Sequence, residues 1–124
     1  MILKTKVIIK EILPGLNDII NKCKHDKYKG AKLLKESKEI CEYYFREQCN
    51  KVFTKPLLFT FKWYEKTKRR DKDNICSAVK LIFDGMQQAG VLKNDGWKQI
   101  ENWTNEFYVD KNYPRVEITI KELD

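Results

Sequence analysis

The stretch KRRDKDNICSAVKLIFDGM, from Lys68 to Met86, places two aspartates one residue apart within a cationic run and then continues as an amphipathic segment. The carboxylates of Asp71 and Asp73 are hard oxygen ligands of the kind that Mg²⁺ or Mn²⁺ prefers. The lysines and arginines around them would neutralise the phosphates of a nucleic acid. The combination predicts a divalent-metal site at a position where a nucleic-acid backbone would lie.

The segment after the acidic pair is predicted to be a helix with one buried stripe, because its apolar residues recur at helical spacing. The stripe consists of Ile75, Ala78, Val79, Ile82, Phe83 and Met86. The opposite side is polar and carries Asp73, Ser77, Lys80 and Asp84. Helical side chains lean toward the N-terminus, so we expect the Lys80 ammonium to point back toward the acidic pair. A cation there could stabilise charge that develops on a phosphate.

The rest of the chain predicts alternating strands and helices. Residues 3–9 alternate as a half-buried strand does, and about 29–50 have the spacing of a long helix. Pro56 begins a second strand, whose inward side chains Phe59, Phe61 and Trp63 are predicted to be core. A third strand is expected between residues 97 and 108, and a last one after Pro114. The order β-α-β-α-β-β predicts an α+β fold, in which a small mixed sheet is covered by helices.

Length and composition favour one domain, residues 1–124, with an anionic partner. The chain has 25 Lys+Arg against 18 Asp+Glu and a formal net charge of +7. Its four cysteines form no CxxC pair and there is one histidine, so a zinc ribbon is not expected. The lysine-broken N-terminus predicts neither a signal peptide nor a membrane span. Free thiols in a reducing cytoplasm are therefore expected.

A turn signal, Lys93 to Gly96, follows the predicted helix and leaves Asp95 able to fold back toward the acidic pair. From Arg69 to Ile100 the sequence RRDKDNICSAVKLIFDGMQQAGVLKNDGWKQI resembles the RusA-like endodeoxyribonucleases that resolve Holliday junctions. The shared features are the Asp-x-Asp-Asn opening, a helix with an internal aspartate, an Ala-Gly stop and an acidic turn.

The resemblance implies a homodimer that binds four-way DNA junctions and cuts them symmetrically in recombination and repair. It also implies Mg²⁺, with Mn²⁺ as a substitute, held by Asp71, Asp73 and Asp95, in the cytoplasm of a bacterial or phage-infected cell. The family often has a lysine at the position of Ser77, and Lys80 is our substitute for that catalytic cation. The predicted DNA phosphate contacts are Lys66, Lys68, Arg69, Arg70 and Lys72.

Several of the site residues also have a structural interpretation, whereas Asp71 has none. Asp73 could be a helix N-cap, and Asp95 before Gly96 could be only a turn residue. Lys80 could simply pair with Asp84 one helical turn away. At the level of function, a non-catalytic branched-DNA-binding protein and a flap or fork nuclease remain as alternatives. A calcium-binding EF-hand loop is disfavoured, because that loop needs an oxygen ligand where Ile75 stands.

Overall fold

The computed structural model describes residues 3–124, and these form an α+β fold. In chain order the elements are β1 (Lys4–Ile9), α1 (Leu16–His25), α2 (Lys27–Gln48), β2 (Leu57–Glu65), α3 (Lys72–Cys76), α4 (Val79–Gln88), β3 (Ile100–Val109) and β4 (Arg115–Glu122). The predicted fold class, a small mixed sheet with helices, is confirmed.

The four strands form one mixed sheet in the order β1-β4-β2-β3. β4 pairs antiparallel with both β1 and β2, whereas β2 and β3 run parallel. The alternation predicted for β2 is confirmed, since Phe59, Phe61 and Trp63 are all buried. Their neighbours on the opposite face are partly exposed, so one face of the sheet meets the core and the other lies toward solvent.

The helical layer packs on the core face through α2 and α4, which contact each other. The predicted apolar stripe is largely confirmed, because Ile75, Ala78, Ile82, Phe83 and Met86 are buried. Gly85 allows a close approach of the two helices, since a side chain at this position would collide with α2 at Cys41 and Glu42. The four cysteines are free thiols. Within residues 3–124, no helix is long and apolar enough to cross a membrane.

Two helical features differ from the prediction. The segment after Pro14 contains a helix, α1, where only a loop was expected. The single helix expected after the acidic pair is two helices, because Ser77 is the C-cap of α3 and Ala78 is the N-cap of α4. An apolar pattern continues through this junction, so hydrophobic spacing alone does not reveal the break.

The connection between the parallel strands positions the candidate site. The chain leaves β2 at Glu65, forms α3 and α4, and returns as β3 beside β2. The carboxyl ends of these two strands therefore lie at the same edge of the sheet, where α/β units commonly bind ligands. The predicted acidic pair comes six residues after β2 ends and lies at this edge.

Candidate active site

A cavity of about 690 Å³ lies at the carboxyl ends of β2 and β3, and we call it the acidic cavity. Both Asp71 and Asp73 line it, together with Lys68 and Lys72. The wall formed by the end of β3 carries Phe107, Tyr108 and Val109. The structure thus brings the two predicted carboxylates and part of the predicted cationic run together in one concave surface.

Asp71 and Asp73 are both exposed and lie at the start of α3. Asp71 occupies the N-cap position with extended backbone angles, but its carboxylate makes no hydrogen bond that caps the helix. The Asp73 carboxylate accepts a hydrogen bond from the adjacent Asn74 N–H at 3.0 Å. Because Asp71 occupies the N-cap position, the N-cap interpretation of Asp73 is wrong, and both residues line the cavity.

The cavity floor is held by Arg70. Its guanidinium donates two hydrogen bonds to Glu65, at 2.9 and 3.0 Å, and a third to Asp18 at 3.1 Å. It also donates to the carbonyl oxygen of Leu13 at 3.0 Å. Burial disfavours the charged guanidinium and so acts to lower the pKa of Arg70. The hydrogen bonds and charges of Glu65 and Asp18 have the larger combined effect and raise the pKa above its ordinary value. Arg70, one of the predicted DNA contacts, thus makes internal contacts that tie the loop before α3 to β2 and α1.

The segment after the acidic pair also caps the N-terminus of α1. The Ser77 hydroxyl accepts a hydrogen bond from Leu16 N–H at 2.8 Å, and the Asn74 side-chain oxygen accepts one from Asn17 N–H at 2.9 Å. The same hydroxyl donates to the Asn74 carbonyl at 2.6 Å. A lysine at position 77 has no acceptor atom and could not make the first of these bonds. Ser77 therefore has a structural role where the family often has lysine.

Gly15→Ala is expected to destabilise the fold, because a methyl group at Gly15 would collide with the backbone and side-chain oxygens of Asn74. The expected loss is about 1–3 kcal/mol, the usual cost of forcing atoms into a packed contact. Urea denaturation would measure it. Gly96→Ala is the matched control, since its methyl group would meet only flexible side-chain atoms of Gln99 and Asn94. Equal unfolding midpoints for the two variants would contradict the close-packing role of Gly15.

Asp95 lies in a separate cleft of about 440 Å³, which it lines together with Trp97 and Trp103. Its carboxylate accepts a hydrogen bond from Lys80 at 3.2 Å, and Lys80 also pairs with Asp84 at 3.0 Å. These two partners raise the pKa of Lys80, with the hydrogen bond to Asp84 the larger cause. Lys80 is therefore a stable cation that joins α4 to the turn after it, and its predicted pairing with Asp84 is confirmed.

The three predicted metal ligands do not form one cluster here. Across residues 3–124, no group of three His, Cys, Asp or Glu side chains is placed to hold a metal ion. Asp71 and Asp73 share a cavity, while Asp95 is bound by Lys80. A two-carboxylate site still suits Mg²⁺, which commonly uses one or two protein carboxylates and keeps several waters. The donor chemistry of the acidic cavity therefore fits a divalent cation.

The predicted phosphate contacts other than Arg70 are exposed. These are Lys66, Lys68, Arg69 and Lys72, of which Lys68 and Lys72 line the acidic cavity. The Lys72 ammonium lies 5.6 Å from the centre of the Phe107 ring, which is packed against the core. A cation–π contact of this kind holds the ammonium at the cavity wall. The cavity therefore combines two carboxylates with a rim of positive charge, as a site that handles a phosphodiester requires.

The family model of the endodeoxyribonuclease RusA matches residues 20–121. The match spans the helical layer, the acidic segment and all strands except β1. The chain belongs to the RusA endodeoxyribonuclease family. The family is one of Holliday junction endodeoxyribonucleases, and it acts on branched DNA. A comparison with curated proteins found no match.

Sequence reasoning missed several residues that shape this RusA-family site. They are Asp18, Glu65, Asn74, Phe107 and Tyr108. One signal was present, because Asn74 belongs to the Asp-x-Asp-Asn opening by which the RusA resemblance was noticed. Asp18 lies 52 residues from Arg70, so no local pattern indicates their contact. Glu65 lies only five residues before Arg70, at the end of β2.

Proposed function

We propose that this RusA-family protein resolves Holliday junctions by metal-dependent phosphodiester hydrolysis in the acidic cavity, during DNA recombination and repair. The observation that carries the proposal is the shared cavity of Asp71 and Asp73, rimmed by exposed cations. A carboxylate pair alone has many uses. A carboxylate pair surrounded by phosphate-neutralising side chains, in a chain of a nuclease family, favours hydrolysis of a DNA backbone.

Asp71 and Asp73 would hold Mg²⁺, or Mn²⁺ in its place. When bound, the ion would polarise the phosphodiester and lower the pKa of a water molecule. Among the described residues, no histidine lines the acidic cavity that could activate the water in place of the ion. Contacts within the chain hold Asp71 and Asp73 in position. Asn74 donates its N–H to Asp73, and the Arg70 contacts hold the loop that carries Asp71.

Asp95 and Lys80 remain part of the proposed machinery. Asp95 would supply a third carboxylate, and Lys80 would supply the cation that neutralises charge developing on the phosphate. The ion pair between them, at 3.2 Å, means that Asp95 must exchange this partner before it serves as a ligand. Because the Lys80 side chain is exposed, breaking this ion pair costs little free energy.

DNA would lie across the rim of the cavity, with its phosphates contacted by Lys66, Lys68, Arg69 and Lys72. Such contacts position the strand and carry no base information, so recognition would depend on the shape of the branch. A two-fold homodimer would present two cavities to the two symmetry-related strands of a junction, which accounts for symmetrical cutting. The expected compartment is the cytoplasm of a bacterial or phage-infected cell.

The proposal predicts that the wild-type protein cuts a synthetic four-way junction at paired positions in Mg²⁺ or Mn²⁺, while leaving a linear duplex of the same sequence intact. EDTA should abolish the cuts, since the carboxylates alone cannot activate water. Gel analysis of end-labelled strands would show the cut positions. A flap or forked substrate belongs in the same assay. Preferential cutting of the flap, or tight junction binding without cuts in any metal, would contradict resolution and favour one of the two alternative functions.

A further inference from the structure

Trp97 is an exposed tryptophan on an ordered turn. Among the described residues it is the most exposed large hydrophobic side chain, with 98% of its surface open to solvent. The turn is held by backbone hydrogen bonds from Gln99 and Ile100 to the Gly96 carbonyl, at 3.2 and 3.0 Å. Trp103 is 41% exposed and lines the same cleft, so the two indoles form one exposed apolar surface of the kind that marks a binding site.

The cleft beside Trp97 has a second indole and polar atoms. Trp103 lines it and is anchored from behind by Phe83, with the ring centres 5.5 Å apart. Glu101 and Asn102 also line the cleft. Carboxylate and amide groups are the partners that base edges use for hydrogen bonds. The volume of about 440 Å³ falls within the usual range of sites for small flat molecules.

The charged residues that line the cleft, Asp95 and Glu101, are acidic and suit a base rather than a phosphate, so phosphates would lie outside it. Lys93 and Lys98 are exposed on either side of the turn and could neutralise phosphates next to a bound base. Trp103 and Phe107 both lie on the helix-facing side of β3, four residues apart, which corresponds to about 13 Å along the strand. That distance equals roughly four nucleotide steps of one DNA strand. The cleft is thus within reach of the strand that would enter the acidic cavity.

We propose that the Trp97 cleft binds an unpaired nucleobase of branched DNA by stacking, and so selects strands whose pairing is interrupted near the scissile phosphate. The proposal rests on the proposed function, because it assumes that DNA occupies the acidic cavity. Stacking on an aromatic side chain tolerates any base, since each base has a π-face. A fully paired duplex offers no such face, so the cleft discriminates by structure and not by sequence.

The test is equilibrium binding, measured by fluorescence anisotropy in EDTA so that no DNA is cut. Wild type, Trp97→Ala and Trp97→Phe are compared on a four-way junction, a single strand and a linear duplex. Tyr28→Ala is the matched control, since Tyr28 is 79% exposed on α2 and lines neither cavity. Trp97→Ala is expected to weaken binding to the single strand and junction by about 5- to 100-fold, from the usual strength of base stacking. Binding to duplex should change less than about 2-fold, and Trp97→Phe should keep most of the affinity.

A 2-aminopurine base placed at the branch gives a second readout, because stacking on an indole quenches its fluorescence. The quenching should be lost in Trp97→Ala only. The proposal would be overturned if Trp97→Ala weakened binding equally on all three DNAs, or on none of them. It would also be overturned if light scattering showed that Trp97→Ala converts a dimer to a monomer, because Trp97 would then belong to a subunit contact. If wild type cuts junctions while Trp97→Ala binds them normally, only this inference fails. If wild type binds no DNA, the proposed function fails with it.

Discussion

Asp71→Asn and Asp73→Asn are each expected to slow cleavage of a four-way junction by about 10³-fold in Mg²⁺, equivalent to roughly 4 kcal/mol in activation free energy. The amide keeps the shape of the side chain but removes the charge that holds a divalent cation. Both carboxylates line the same cavity, so each loss alone should suffice. Single-turnover kinetics on labelled junction DNA would measure the rates.

Binding should respond in the opposite direction. Each substitution removes a negative charge from a surface that approaches phosphates, so junction affinity in EDTA should be unchanged or higher. Asp124→Asn is the matched control, since Asp124 follows β4 at the end of the sheet opposite the acidic cavity. If Asp71→Asn or Asp73→Asn cuts at the wild-type rate, the assignment of the acidic cavity as the catalytic site is wrong.

Asp95→Asn in the same assay tests the third proposed ligand. Within the described residues Asp95 contacts Lys80 and lies in a different cleft from the acidic pair. A large loss of rate would mean that Asp95 leaves Lys80 when DNA and metal bind. A rate close to wild type would limit the metal site to Asp71 and Asp73, and would leave Asp95 with its structural contact to Lys80.

Much of the fold was predictable because its strands and helices carry strong periodic patterns. The alternation in β2 and the stripe from Ile75 to Met86 each follow from one-sided burial. The missed helix α1 shows the limit of this reasoning. It has no fully buried residue, and its N-terminus is capped by Asn74 and Ser77, which lie far away in sequence. The caps from Asn74 and Ser77 leave no local signal, and the one local cap among the described residues is the Asp18 carboxylate, which accepts a hydrogen bond from Gly15 N–H at 2.7 Å.

The sequence predicts the two aspartates of the acidic cavity and the cations beside them, but not which residues contact one another. The Asp-x-Asp spacing at the start of a helix is local, and the structure places both aspartates in one cavity. The five Lys and Arg side chains from Lys66 to Lys72 give no way to tell which of them is internal. Arg70 differs from its neighbours because Glu65, Asp18 and the Leu13 carbonyl surround it. Only the folded chain brings those acceptors together.

Arg70→Ala is expected to destabilise the protein by about 3 kcal/mol, the low end of the cost of leaving one member of a buried ion pair without its partner. The Glu65 side chain is only 11% exposed and would lose both of its hydrogen bonds from Arg70. The loop that carries Asp71 and the start of α1 would lose a shared anchor. Urea denaturation, monitored by circular dichroism, would measure the change.

Lys32→Ala is the control for Arg70→Ala, since Lys32 makes an exposed pair with Glu36 on one helix and its loss should cost under about 1 kcal/mol. DNA binding separates the two possible roles of Arg70. Lys68→Ala should reduce the slope of log affinity against log salt concentration by about one, as the loss of a phosphate contact does. Arg70→Ala, measured where the variant is folded, should leave that slope unchanged. A stable Arg70→Ala protein with a reduced slope would show instead that the guanidinium turns outward and contacts DNA, as the sequence alone suggested.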